Sequence, residues 1–368
     1  MGIIRFLLAL SVVITHCGPI FGIRLTSGEV AVQSFYIISG FYMSMILNEK
    51  YIGINNSYKL FITNRFIRLY PIYWAVVLLT LMICVTALFT NKDIITPFSS
   101  YASVHQNVFS FSYLILTNIL LIGQDIVMFL GIDPSNGILF LTSDFRNTYP
   151  PLYSFLFIPQ AWTLGLEITF YLIAPFILRK KTTIIIWLIL LSFLLRLYIF
   201  NYLGFKNDPW SYRFFPTEIM FFLLGFLSYK MGLKYKLKSK RHNYVILGYM
   251  LFLIFIYSYL PSTRLAYIPF KLKDVIYFTS IIFSIPFLFN FFKTNKRDAK
   301  IGELSYPIYI SHMLVSLVCL MLPFTFLKNG SSIAFITIVL SLALNYFIAA
   351  PIEKIRQSRL KKTQAVSI

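Results

Sequence analysis

Apolar runs of about 18 to 22 residues recur along this 368-residue chain, each long enough to cross a bilayer. In hydrocarbon the backbone must satisfy its own hydrogen bonds, so runs of this kind are expected to be helices packed into a bundle. Charged residues make up 12% of the chain and hydrophobic ones 58%; a soluble domain carries about twice that share of charge. The expected spans lie at about 3–21, 30–48, 70–90, 161–178, 183–200, 212–229, 243–260, 275–292, 302–322 and 331–350. The first run reads as a helix that stays rather than a cleaved leader. Only Arg5 precedes it, and no small-residue cleavage pattern follows.

The net charge is +20. In a soluble protein that would suggest nucleic acid. Here the basic residues cluster between apolar runs: Lys50 to Arg68, Arg179-Lys180-Lys181, Lys230 to Arg241, Lys293 to Lys300, and the tail from Lys354. That is the positive-inside pattern, and it argues for membrane lipid rather than nucleic acid as the partner. It puts both termini in the cytoplasm if an even number of crossings separates residues 91 and 160. Phe111 to Leu130 is also apolar, but Gly123-Gln124-Asp125 in its middle suits a lipid-facing span poorly. The stretch is expected to be a re-entrant or interfacial segment on the outer side, covered by protein. The alternative is two crossings, the second within Tyr149 to Gln160. The fold expected is an all-α integral membrane protein of about ten transmembrane helices. Cys17, Cys84 and Cys319 are isolated within apolar runs and show neither metal spacing nor a disulfide framework. No metal site is expected.

Ionisable residues at membrane depth are costly, so each is a functional hypothesis. His16 follows Arg5 by eleven residues, which at ~100° per residue brings both to one stripe of a helix, ~16 Å apart along its axis. Topology puts Arg5 at the cytoplasmic mouth and His16 in the outer half. Glu167 falls in the outer half too, so a His16–Glu167 pair for general-base work is expected, against a structural role for the carboxylate. Arg65 and Arg68 lie one turn apart at the start of the third span. They suit bidentate phosphate binding, or simply anchoring beside interfacial aromatics. Tyr309 and His312 share a face at i, i+3, and His312 reads equally as a cavity residue or a satisfied structural histidine.

Five stretches in order give the chain a resemblance to the membrane-bound acyltransferase 3 family over nearly its whole length. They are Arg5 to His16; Val32-Gln33-Ser34-Phe35-Tyr36-Ile37-Ile38-Ser39-Gly40-Phe41; Arg65-x-x-Arg68-x-Tyr70-Pro71-x-Tyr73; Trp162-Thr163-Leu164-Gly165-Leu166-Glu167-Ile168-Thr169-Phe170-Tyr171; and Gly302 to His312. Phe6 stands where the family often has glycine, and Thr163 where it has serine. The resemblance implies an acyl-coenzyme A-dependent O-acyltransferase with a polytopic domain over 1–352 and a basic cytoplasmic tail over 353–368. It implies that His16 is catalytic, with Glu167 as its catalytic partner. Arg5, Arg65 and Arg68 would bind the donor. Ser39, Tyr36, Trp162, Tyr309 and His312 are the candidates for lining the cavity.

The resemblance further implies a bacterial inner-membrane enzyme that O-acetylates surface polysaccharide, such as lipopolysaccharide O-antigen or capsule, on a free or lipid-linked glycan. Acetyl-coenzyme A is then a substrate, and no cofactor is bound permanently. The oligomeric state stays open. Segment 91–160 would be an acceptor-binding surface or a plain lid. The rival readings are a flippase of lipid-linked sugar, without acyl chemistry, and a glycan polymerase.

Overall fold

The computed structural model describes residues 1–49, 58–89, 96–235 and 239–365. Its helices are α1 (Gly2–Cys17), α2 (Gly28–Glu49), α3 (Tyr58–Phe89), α4 (Pro97–Ala102), α5 (Val108–Leu120), α6 (Trp162–Ile177) and α7 (Thr182–Asn201). They continue with α8 (Phe215–Lys234), α9 (Lys240–Ile256), α10 (Leu272–Phe292), α11 (Lys296–Glu303), α12 (Ser305–Met321), α13 (Gly330–Leu344) and α14 (Ala350–Ala365). Between α5 and α6 lie short 3₁₀ turns and one antiparallel hairpin, β1 (Leu130–Ile132) and β2 (Leu139–Leu141).

Helices stand at all ten expected positions. Among the described residues seven helical runs are long and apolar enough to cross a membrane: 28–49, 58–89, 182–201, 240–259, 272–292, 296–321 and 330–359. The expected ten crossings also need α1, α6 and α8. The first two have 16 residues, ~24 Å of helix against ~30 Å of hydrocarbon. The third carries Glu218, Lys230 and Lys234.

Three expected boundaries move. The first helix stops at Cys17, not near residue 21, because Gly18 takes φ 95°, a conformation closed to residues with a side chain. The third helix begins at Tyr58, so Lys59, Arg65 and Arg68 sit on α3 and not in a basic loop; Lys50, also assigned to that loop, is outside the described residues. Its 32 residues give ~48 Å of helix, more than a bilayer needs. In the third case, the apolar stretch from Phe111 is one 13-residue helix, α5, ended by a left-handed Leu121. The chain then turns and runs through a 3₁₀ turn into the hairpin. Gln124 and Asp125 are buried there under protein. The alternative crossing within Tyr149 to Gln160 is not seen; that stretch forms 3₁₀ turns.

The two ends of the bundle are set by contacts between helix termini. At one end the Tyr229 hydroxyl donates to Glu49 at 3.2 Å, Tyr58 to the Leu172 carbonyl at 3.1 Å, and Arg359 to Thr63 at 3.0 Å. Lys180, Lys181, Lys234, Lys240, Lys293 and Lys296 cluster here, and we call this the basic end. At the opposite end the Phe21 N–H donates to Ser331 at 2.8 Å, and Ser258 donates to the Leu25 carbonyl.

The centre of the bundle is the α2–α8 pair. A Cβ at Gly40 would lie 1.9 Å from the Phe222 carbonyl oxygen, so only glycine permits this approach. One buried polar network ties the pair to α7: Arg196 donates to Glu218, and Gln33 donates to both Glu218 oxygens at 3.1 and 3.3 Å. The outward faces are apolar, as lipid contact requires: Met82, Trp187, Leu191 and Phe335 are all exposed.

Candidate active site

Helix α1 is apolar, without internal Gly or Pro, and its first turn is held by a carboxylate from α11. Asp298 accepts from the Gly2 N–H at 2.6 Å, the Ile3 N–H at 3.0 Å and the Met1 amino group at 2.6 Å. A carboxylate at a helix N-terminus satisfies orphan donors and complements the helix dipole. This clamp fixes Arg5 one turn further on, where its Nη2 donates to Ser305 Oγ at 2.9 Å. Ser305 in turn donates to the Gly302 carbonyl at 2.7 Å. Neither Asp298 nor Ser305 was assigned a role from sequence, although Ser305 lies within the fifth stretch quoted above.

A cavity of 460 Å³ opens at the basic end. Arg5, Arg68, Lys293 and Arg356 bring cationic groups to it, against Asp298, Glu303 and Glu353. A smaller cavity of 110 Å³ lies beyond it and shares Arg5, Tyr42, Arg68 and Tyr306 with it. Its further walls are Tyr36, Ser39, Thr163, Glu167, Tyr171 and Tyr309. The two hollows are thus adjacent, with two guanidiniums and two phenols lining both. Arg68 is exposed and forms no ion pair among the described residues. Arg65 differs from its neighbour: it is 2% exposed, packs over the Phe61 ring at 5.8 Å and lines neither cavity. Of the two arginines of α3, only Arg68 therefore lines the cavities, beside Arg5 of α1.

Glu167 is where the expectation fails most clearly. It is a wall of the inner cavity, but its partners are Ser39 Oγ at 2.8 Å and the Tyr171 hydroxyl, one turn on along α6. It is not hydrogen-bonded to His16, whose partners are Val12 and His312. Ser39, Tyr36 and Tyr309 do line the cavity as expected. Trp162 does not; its ring lies under the Arg213 guanidinium at 4.2 Å and meets Tyr212 edge-on. Arg213 is held by Asp208, which also pairs with Arg146 at 2.6 Å.

His16 is exposed at the end opposite Arg5. Its neighbour is His312, which is fully buried and lines neither of these two cavities, so it is not the cavity residue expected. His312 Nε2 lies 3.3 Å from His16 Nδ1, with ring centroids 5.1 Å apart. His16 Nδ1 is 2.9 Å from the Val12 carbonyl oxygen, and His312 Nδ1 is 2.7 Å from that of Tyr309. The Tyr309 hydroxyl accepts from Thr163 at 2.8 Å and donates to the Gln160 carbonyl at 2.8 Å. Tyr309 therefore joins the two regions: its side chain walls the inner cavity and its carbonyl holds His312.

The segment before α6 encloses a separate hollow of 550 Å³ with α3 and α12. Its α12 wall is Ile310, Met313, Leu314 and Leu317. Those positions form one helical face, with His312 on the far side. Among the described residues no group of three or more His, Cys, Asp or Glu could hold a metal ion.

A helical bundle with an apolar exterior, a cationic cavity at one end and a histidine pair towards the other fits a multi-pass membrane protein. A family model described as an acyltransferase domain matches residues 1–350, and the chain belongs to that acyltransferase 3 family. It is a membrane acyltransferase. One relative, an uncharacterized protein of Aquifex aeolicus (strain VF5), is 28% identical over 239 residues, which cover 62% of this chain and 98% of the relative. No solved structure matches the chain.

Proposed function

We propose that this acyltransferase takes its acyl group, an acetyl group, from acyl-coenzyme A on the cytoplasmic side and delivers it to a hydroxyl of a cell-surface carbohydrate such as O-antigen or capsule. The basic end then faces the cytoplasm with both termini, in a bacterial inner membrane crossed ten times. The observation that carries this reading is the pair of arginines common to two adjacent cavities. Arg5 and Arg68 line both, with no carboxylate paired to either among the described residues, and the inner cavity extends to Tyr309.

Coenzyme A is an anionic head on a long, thin arm, and the two hollows have that division. The 460 Å³ cavity suits the head, its size falling within the ~300–1,000 Å³ usual for ligand sites. Arg5 and Arg68 bind phosphate oxygens, with Lys293 at the rim. The arm passes Tyr42, Tyr306, Ser39 and Glu167. In this account Glu167 is part of the donor path, held by Ser39 and Tyr171, and does not steady the base.

Beyond the Tyr309 wall of the inner cavity, His16, which lines neither cavity, uses its Nε2 to remove the proton from an acceptor hydroxyl as the hydroxyl oxygen attacks the thioester carbonyl. The tetrahedral intermediate collapses with cleavage of the C–S bond. The proton held by His16 passes to the departing sulfur, giving an O-ester and free coenzyme A. Atoms and charge balance without a cofactor or metal.

The test is transfer of radiolabel from acetyl-coenzyme A to purified surface glycan by the protein in lipid nanodiscs. Labelled ester on the glycan, released by mild alkali, supports the reading. Movement of lipid-linked glycan across the bilayer without thioester cleavage would replace it with a flippase.

A further inference from the structure

We propose that His312 is the positioning residue of the base: its Nε2 lone pair accepts the His16 Nδ1–H and so keeps His16 Nε2 bare and aimed at the acceptor. The inference rests on His16 being the base. It follows from which groups around the pair can donate and which can only accept. A backbone carbonyl only accepts, so His16 Nδ1, 2.9 Å from the Val12 oxygen, carries a proton. By the same rule His312 Nδ1, 2.7 Å from the Tyr309 oxygen, carries one too.

A second proton on His312 would make a cation of a fully buried ring, with no carboxylate hydrogen-bonded to it among the described residues. Its Nε2 is therefore a lone pair, and it faces His16 Nδ1 at 3.3 Å. The His16 proton is shared between the Val12 carbonyl and this lone pair. His16 Nε2 has no protein partner among the described residues.

The arrangement has the logic of a nucleophile–histidine–carboxylate triad, in which the third group fixes the tautomer and orientation of the imidazole. Here a neutral imidazole and a carbonyl fill the carboxylate's place. That suits a site in apolar surroundings, where a buried carboxylate would need its own compensation. Among the described residues neither histidine is hydrogen-bonded to a carboxylate; Glu29 of α2 follows Gly28, which packs against Thr15, but it forms no hydrogen bond to the pair. The charged group that bears on His16 electrostatically is Arg213, from the turn before α8, and Tyr309 is the phenol beside His312. His312 itself is fixed from behind, since Tyr309, whose carbonyl it holds, is anchored through its hydroxyl to Gln160 and Thr163.

The experiment compares His312→Leu, His312→Met and His312→Gln with wild type and His16→Ala in the glycan-acylation assay. Leucine and methionine offer no acceptor of comparable strength; glutamine can place its Oε1 near the Nε2 position. The apolar variants are expected to lose about ten- to a hundred-fold in kcat, the cost seen when the partner that orients a metal-bound histidine is removed, with the KM for acetyl-coenzyme A unchanged. His312→Gln is expected to recover most of the loss.

An apolar variant with wild-type kcat, or a glutamine variant as impaired as a folded apolar one, overturns the inference. A second readout needs no folded variant at position 312. In wild-type protein labelled at the imidazole nitrogens, the His16 resonance, assigned by its loss in His16→Ala, should report the Nδ1–H form. An Nε2–H form contradicts the proposal. If His16→Ala itself stays active, the base assignment has failed; if only the His312 predictions fail, it has not.

Discussion

Glu167 and Tyr171, one turn apart on α6, are hydrogen-bonded to each other, and Ser39 of α2 donates to the same carboxylate oxygen at 2.8 Å. The bonding occupies Glu167 on the α2 side of the inner cavity and leaves His16 to a different partner. Glu167→Gln is therefore expected to keep kcat within about three-fold of wild type and to act on the donor KM, the signature of an altered binding path. Steady-state kinetics with acetyl-coenzyme A varied check this. A hundred-fold fall in kcat at constant KM would put Glu167 back beside the base.

Arg68 and Arg65 are one turn apart on α3, yet only Arg68 reaches the cavities. A hydrogen bond to a charged group is worth ~1.5–3 kcal/mol, so Arg68→Ala should raise the donor KM by about ten- to a hundred-fold. Arg65→Ala should instead lower thermal stability, since it empties a buried site. Coenzyme A titration and thermal unfolding of both variants in detergent separate the two roles.

The Asp298 carboxylate caps the first turn of α1 through the Gly2 and Ile3 N–H groups. Losing such a cap costs ~0.5–2 kcal/mol. Asp298→Ala should therefore lower the unfolding temperature by a few degrees, and weaken donor binding through the displaced Arg5. Asp298→Asn, which keeps one oxygen acceptor, should fall between the two.

Arg196 and Glu218 form a buried pair, 3% and 0% exposed, between α7 and α8. Breaking a buried pair from one side costs ~3–5 kcal/mol, while replacing both partners with apolar groups often costs little. Glu218→Leu should therefore be less stable than the Arg196→Leu/Glu218→Leu double variant. The reverse order would show that Arg196 is tolerated without its partner.

The helices were legible because an apolar run of that length has few other structures open to it in hydrocarbon. The placing of Arg5 and His16 at opposite ends of α1 followed from helical rise alone. What was not legible depends on how helices are turned about their axes. Depth puts Glu167 near the level of His16, but only the rotation of α6 decides that it meets Ser39 and Tyr171. The His16–His312 contact joins residues 296 apart in sequence and needs the docking of α1 on α12. Hydropathy ended the third span at its charges, yet nothing between Tyr58 and Arg68 breaks a helix, and α3 runs through. Gly18 and Pro19 were signals for the stop at Cys17 that the apolar residues after them obscured.

The most direct test is acceptor-dependent release of coenzyme A from acetyl-coenzyme A by purified wild-type and His16→Ala protein, each in lipid nanodiscs with glycan. A general base supplies ~10²–10⁴ in rate, so the variant should release coenzyme A at least about a hundred-fold more slowly while still binding it. Release by His16→Ala at the wild-type rate would contradict the assignment of His16 as the base.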